Sequence, residues 1–376
     1  MGYIRWASCR KPKWYTVDEA TPKPNPNKED SKMEYSALGK TGLYVSRICL
    51  GTMTFGQGPM SAAIGGLGGK EVDEMVGRAF DAGINFFDTA NLYTMGESEI
   101  LLGKAIGKRR EDAVIATKLY NPFTSDMNSL GTSRKAIMRE VEASLKRLGT
   151  DYIDLYQVHS WDPTTPLEET LSALDDLVKN GKVRYIGLSN FTGWQIAKAH
   201  GISEARGFHK FVSAQSYYSL VGRELEYEVL PATRDLGMGV MVWGPLASGF
   251  LTGKYTGENG EPGRRGAFSF PPVNQESGDR IVEVVREIAA AHAASPAQVA
   301  LAWLLHQPGI TSVIIGARRM EQFEDNVQSV KIELSEEEVT VLNAVSQPLV
   351  PFPYLDFSLQ RGQTLAQRMA QLEGSS

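Results

Sequence analysis

The sequence predicts an α/β fold of one kind, a closed (β/α)8 TIM barrel with an N-terminal β-hairpin and long loops on its C-terminal face. Three observations carry this. Eight short runs rich in β-branched and aromatic residues recur from Arg47 onward, and runs of that length bounded by polar or glycine positions suit strands buried on both faces. Helical patterns fill the intervals, and eight strands alternating with helices spell a barrel. The rival, a doubly wound open sheet, usually carries an early glycine-rich phosphate turn, and no GxGxxG follows the first run.

In chain order, "MEYSALGKTGLYVSRI" reads as a hairpin turning at Gly39–Gly42, a plug for the barrel floor. The strands are "RICLGTM", "INFFDTA", "VIATKLY", "IDLYQVHS", "VRYIGLSN", "FVSAQSYYS", "GVMVWGPL" and "TSVIIGA". Helices are expected at "KEVDEMVGRAFDAG", "SRKAIMREVEASLKRLG", "PLEETLSALDDLVKNGK" and "ELEYEVLPATRDLG". Thr165, Pro166 and Glu168 form one expected capping box with proline at the first helical position, and Ser295, Pro296 and Gln298 a second. Gly149, Gly181 and Gly237 sit where helices should end. Two long loops, 56–69 after the first strand and 248–279 after the seventh, belong on the C-terminal face, where barrels bind substrates.

Composition narrows the function classes. The balance of 42% hydrophobic and 22% charged residues is that of a soluble globular chain. A net charge of −5 gives no global attraction to nucleic acid or an anionic membrane. The longest uncharged apolar run, "GVMVWGPLASGFL", is broken by Pro245 and is shorter than the roughly 20 residues a spanning helix needs. Two cysteines, Cys9 and Cys49, make no disulfide framework, so a reducing, cytoplasmic setting is the default. With no CxxC or HExxH pattern, no metal site is expected. Residues 1–32, polar and proline-rich, are expected to be a poorly ordered extension, natural or appended, with Met33 as an alternative start. Residues 33–376 then form one barrel domain including its C-terminal tail.

Strand ends point at the barrel mouth, so their polar residues are the candidates for chemistry. The second strand ends in Asp88 with Tyr93 in its loop, the third delivers Lys118, and the fourth His159. The fifth ends in Ser189 and Asn190, the sixth carries Gln215 and the seventh Trp243. Singly, each has an ordinary explanation as a cap, a solvated charge or a hydrogen-bonded structural residue. Together they bring a phenol, an amine, a carboxylate and an imidazole to one mouth. A phenol with pKa near 10 is a poor acid at neutral pH; a nearby ammonium lowers that value, and a carboxylate holds the ammonium charged. Such a set would protonate an oxygen that becomes negative as hydride reaches a carbonyl carbon.

With those residues in view, the sequence resembles the aldo-keto reductase superfamily from about Met33 to about Leu342. The matching segments are "GTMTFG", "DTANLYTMGESEILLGKAI", "ATK", "DYIDLYQVH", "GKVRYIGLSNF", "WGPLASGFLTGKY" and "VIIGARRMEQFEDN". The resemblance implies Asp88, Tyr93, Lys118 and His159 as a catalytic tetrad with Tyr93 as general acid, and NADPH or NADP+ extended across the mouth. It implies Ser189, Asn190 and Gln215 on the nicotinamide carboxamide. Trp243 would stack on the ring, at a place often held by tyrosine in the family. The diphosphate is expected near Leu246, Ser248, Gly249 and Lys254, with Gly51, Thr52, Met53, Asp88, Gly244 and Pro245 also in contact with the cofactor. Gly316, Arg318, Gln322, Asp325 and Asn326 would serve the adenosine end, Arg318 forking onto a 2′-phosphate.

The activity implied is reversible reduction of an aldehyde or ketone. Two alternatives are a nicotinamide-sensing regulatory subunit and a Schiff-base lyase using Lys118, which would need that lysine neutral. Phe55, Tyr120, Trp161, Tyr218, Phe352 and Tyr354 are candidate walls of an apolar substrate cleft. The identity of the carbonyl substrate and the oligomeric state are not legible in the sequence.

Overall fold

The computed structural model describes residues 33–58, 65–121, 126–254, 270–349 and 351–352. The expectations for residues 1–32, for the interiors of the two long loops and for Tyr354 lie outside the described residues.

The chain enters as a hairpin, β1 (Tyr35–Ala37) against β2 (Tyr44–Ser46), paired antiparallel with Ala37 opposite Tyr44. Eight parallel strands then close on themselves: β3 (Ile48–Gly51), β4 (Phe86–Asp88), β5 (Val114–Leu119), β6 (Ile153–Val158), β7 (Val183–Ser189), β8 (Ser213–Tyr217), β9 (Gly239–Trp243) and β10 (Ile310–Ile315). β10 returns to β3 with Val313 beside Ile48. Every barrel strand lies inside one of the eight runs read from the sequence, apart from Ile310, which extends the last one by a residue at its start.

Because side chains alternate along a strand, each strand feeds two cores. Cys49, Phe86, Val114, Ala116, Leu155, Met241 and Ile314 pack together inside the barrel. Their neighbours Ile48, Phe87, Ile115, Tyr156 and Val240 pack outward beneath the helices. The same alternation carried two residues further puts Asp88 on the lumen side after Phe86, Lys118 after Ala116, Gln157 after Leu155 and Trp243 after Met241.

The hairpin closes the floor. Leu38, fully buried, joins the inner core, and Lys40 N donates to Gly237 O at 2.8 Å, just before β9 begins. Gly39 makes that approach through a left-handed φ of 62°; a Cβ there would lie 2.6 Å from Val212 O and 2.8 Å from Gly237 O.

Helix ends mostly obey local rules, with instructive departures. Ser133 caps the helix Arg134–Leu148 by accepting from Ala136 N, and left-handed Gly149 ends it. Ser295 caps the helix Pro296–His306, but Gln298 does not complete a box: its Nε2 goes to Asp325. The expected box at Thr165 does not form. Pro166 itself is the N-cap of the helix Leu167–Lys179, while Thr165 Oγ1 donates to Asp162, which also takes Thr164 and Thr132. The hydroxyl is engaged as a donor to the carboxylate and accepts from no N–H of the helix end. The segment expected as one helix from Glu224 divides into a 3-10 turn (Glu224–Glu226) and the helix Val229–Leu236. No single described helix is long and apolar enough to cross a membrane.

The floor contact makes a paired prediction. Gly39→Ala adds both left-handed strain and a collision with backbone, and should destabilise by about 2–4 kcal/mol. Gly42→Ala in the same turn meets nothing within 4 Å and should change stability by no more than about 0.5 kcal/mol. Urea unfolding of the two variants measures both; equal midpoints would mean the hairpin does not seal the barrel.

Candidate active site

The segment after β4 performs an awkward turn. Tyr93 opens a single 3-10 turn in which Thr94 (φ 46°), Met95 (φ 54°) and Gly96 (φ 88°) are successively left-handed. For a β-branched residue such as Thr94 that conformation is costly. It is held by Thr94 Oγ1 donating to Phe55 O at 2.8 Å, by Tyr93 N to Ala90 O at 3.1 Å, and by Asn91 Nδ2 to Glu140 at 3.2 Å. The turn lifts the Tyr93 phenol back over the barrel mouth before the helix Glu97–Ile106 begins.

Under it sits a fully buried ion pair. Lys118 Nζ lies 2.5 Å from Asp88 Oδ1, donates to Thr89 O at 2.8 Å and reaches Tyr93 Oη at 3.4 Å. Burial, the largest single effect, pulls the Lys118 pKa down, but the charges of and hydrogen bonds to Asp88 and Tyr93 together more than reverse this, so the ammonium is held above its ordinary value. A lysine in that state is no Schiff-base nucleophile. Burial also dominates at Tyr93 and raises its pKa. Lys118 opposes that shift without overcoming it. The sequence-based expectation of a phenol titrating below its ordinary value is therefore corrected: the resting phenol is firmly protonated, and Lys118 limits how far burial drives it.

His159 follows β6, its ring 6.1 Å from that of Tyr93 and edge-on at 80°. Burial, joined by the Lys118 charge, lowers its pKa to about 3. The neutral ring bears one proton. Nδ1 is enclosed with no partner among the described residues, and a buried donor without an acceptor is costly. The proton therefore belongs on Nε2, which makes that atom a donor.

Ser189, Asn190, Gln215 and Trp243 surround this group on β7, β8 and β9. Asn190, left-handed at φ 59°, donates to His159 O at 3.0 Å and Ser189 Oγ at 3.1 Å, and its Oδ1 accepts the Trp243 indole N–H at 3.0 Å. Its amide is thus engaged at both ends. Gln215 Nε2 donates to Asp88 Oδ2 at 2.8 Å. Trp243 has Tyr217 (centroids 5.1 Å) and Phe270 (5.7 Å, nearly parallel at 18°) as ring neighbours. Three neighbours were not singled out from sequence: Gln157, on Asp88 at 3.2 Å, Tyr217 and Phe270. Gln157 and Tyr217 carry a signal in hindsight: each lies two residues from a site residue, His159 just past the end of β6 and Gln215 on β8.

Of the first-strand candidates, Gly51 ends β3, Thr52 is buried with its hydroxyl on Ser98 and Asp88 O, and Met53 is half-buried. After β9, left-handed Gly244 leads past Pro245 and Leu246 into Ala247, Ser248 and Gly249, three consecutive left-handed residues; Ser248 Oγ donates to Phe270 O, and Lys254 is exposed. After β10, Gly316 is exposed and Arg318 half-buried, its stem lying against Gly65, where a Cβ would come within 2.7 Å. Gln322 Oε1 accepts from Arg318 N at 3.1 Å. Asp325 is occupied by Ser295 and Gln298, and Asn326 is buried.

The aromatic cleft is only partly as expected. Phe55 and Tyr218 belong to the core, Tyr218 with its hydroxyl on Glu226 at 2.6 Å, so neither lines a cleft. Trp161 packs edge-on against Phe191 and Trp194, Tyr120 is half-buried, and Phe352 is exposed.

Comparison with known proteins places this geometry. The sequence profile described as the Aldo/keto reductase family matches residues 47–347. An uncharacterized oxidoreductase of Bacillus subtilis, YrpG, is 43% identical over 325 residues, covering 83% of this chain and 96% of that protein. Versiconal hemiacetal acetate reductase of Aspergillus parasiticus is 35% identical, covering 85% of this chain and 98% of its own. A putative aryl-alcohol dehydrogenase of Schizosaccharomyces pombe is 36% identical, covering 85% and 96%.

The neutral histidine sets a pH dependence. An unfolded histidine takes up its proton near pH 6.5, whereas His159 in the fold does so at about 3. Between these values the unfolded chain binds more protons, so stability falls as pH drops through that window, by at most about 1.4 kcal/mol per unit. Urea unfolding at pH 7 and 4.5 should show the wild type losing about 2–3 kcal/mol more than His159→Asn. Equal losses in the two proteins would place the histidine's proton uptake elsewhere.

Proposed function

The chain belongs to the aldo/keto reductase family, and from that premise we propose that it reduces an aldehyde or ketone to an alcohol, reversibly, with NADPH as reductant and Tyr93 as proton donor. The observation that carries this is the Tyr93 hydroxyl held 3.4 Å from an ammonium that Asp88 keeps charged, beside a neutral histidine.

The residues present fit a nicotinamide dinucleotide. Trp243 offers an aromatic face, Ser189 and Gln215 offer polar atoms beside it, and Arg318 stands at the start of the helix Met320–Val327, an end suited to phosphate. When bound, the reduced nicotinamide supplies hydride to the carbonyl carbon. His159 Nε2–H donates to the carbonyl oxygen and orients it. Tyr93, protonated at rest, gives its proton as that oxygen gains charge. Lys118 stabilises the phenolate left behind, and Asp88 stops Lys118 from losing its own proton instead. In the oxidative direction the same phenolate takes the alcohol proton. Aryl aldehydes and ketones are the first carbonyls to try, given the relatives named for an aryl alcohol and a hemiacetal acetate.

Tyr93→Phe removes one hydroxyl and little packing, so the fold and NADPH binding should persist. Turnover should fall by at least about 10²-fold, in kcat and kcat/KM together, because the proton is needed only in the transition state. Lys118→Met should do similar damage. A Tyr93→Phe protein keeping more than half the wild-type kcat on a good substrate defeats the assignment; a wild type that binds NADPH but turns over no carbonyl in a broad panel points to a sensor instead.

Cofactor choice is a separate measurement. Arg318→Met should weaken NADPH about 10-fold or more and leave NADH nearly unaltered, the scale of a charge-assisted pair. Equal loss with both cofactors would remove Arg318 from the 2′-phosphate.

A further inference from the structure

Asp88 Oδ2 accepts from two amides, Gln157 Nε2 at 3.2 Å and Gln215 Nε2 at 2.8 Å, while Oδ1 takes the Lys118 ammonium. A carboxylate only accepts, so both NH2 groups must face it. Gln157 Oε1 also lies 3.4 Å from Gln215 Nε2 and accepts from it. The two hydrogens of the Gln215 amide are therefore both directed into the lumen, one toward Asp88 and one toward Gln157. Gln157 is wholly buried and Gln215 is 3% exposed. Gln215 Oε1 is left without a protein partner among the described residues, and it is not one of the enclosed unpaired atoms. It is the acceptor that this corner of the mouth presents, since Asn190 Oδ1 already holds the Trp243 indole.

We infer that Gln157 is a positioning residue: by holding one Gln215 amide hydrogen while Asp88 holds the other, it makes Gln215 Oε1 a fixed acceptor for the amide NH2 of a nicotinamide carboxamide. This rests on the nicotinamide reading above. Glutamine has much rotamer freedom to lose on binding. An amide tethered through both hydrogens has lost it before the ligand arrives, which is preorganisation in the ordinary sense. Lacking Gln157, Gln215 keeps one tether and its carbonyl swings.

The test compares equilibrium binding of NADPH with that of its 3-acetylpyridine analogue, which keeps the ring carbonyl and lacks the amide NH2. Dissociation constants come from calorimetry or quenching of intrinsic tryptophan fluorescence, so no turnover is required. Wild type should prefer NADPH by about fivefold or more, the scale of one hydrogen bond. Gln157→Leu and Gln157→Met should bring the preference below about twofold, chiefly by weakening NADPH. A ratio taken within one preparation does not depend on how much of a variant is folded, and a merely structural role would weaken both ligands alike. An unchanged ratio in both variants, or equal losses for the two ligands, overturns the inference. A wild type binding both ligands equally overturns it and leaves the nicotinamide site standing; a wild type binding neither removes the nicotinamide reading, and this with it.

Discussion

The Asp88–Lys118 pair organises the barrel mouth. Both side chains are buried, and withdrawing two charges from water costs several kcal/mol each unless further hydrogen bonds complete the site. Here they do: Thr89 O on the ammonium, Gln157 and Gln215 on the carboxylate. The donors and acceptors come from β4, β5, β6, β8 and the turn after β4. Only a closed barrel, with its lumen-facing alternation in step on each of those strands, gathers them at one depth. The pair in turn governs its neighbours. Its ammonium helps keep His159 neutral and limits the rise in the Tyr93 pKa, and its carboxylate orients two amides.

Much of this was legible in the sequence because it is local. The eight apolar runs, the turn glycines and the polar residue closing each strand are read within a window of a few residues, and period-two alternation then assigns Asp88, Lys118 and Trp243 to the lumen. What was not legible depends on partners distant in the chain. Gln215 and Asp88 are 127 positions apart, and nothing near Gln157 announces that its amide faces a carboxylate. Thr165 misled for a different reason: Asp162, only three residues away, takes its hydroxyl while that carboxylate also ties the loop after β6 to the loop after β5. Phe55 and Tyr218 lie in loops on the correct face, yet a position in a loop does not set the direction of a side chain. At Tyr93 the charges were read correctly and the burial was not, and burial is the larger effect.

The distribution of backbone strain separates the two ends of the barrel. Among the described residues, the non-glycine residues with left-handed or otherwise positive φ are Thr94, Met95, Tyr120, Asn190, Ala247, Ser248 and Ala293. All but Ala293 lie in the segments that follow barrel strands at their C-terminal ends. On the hairpin floor the left-handed position is instead filled by Gly39, which meets no side-chain penalty. Strained backbone of this sort costs about 1–3 kcal/mol per residue and persists only where surrounding structure over-determines it. The strain is therefore not spread evenly: it is concentrated where Tyr93, Asn190 and the turn after β9 must hold side chains or backbone at set angles, and the continuous packing of the inner and outer cores bears it. Changes that relaxed these turns would be expected to stabilise the chain while loosening the arrangement of Tyr93, Lys118 and His159, since the same left-handed residues that cost stability are those that bring the phenol back over the ammonium.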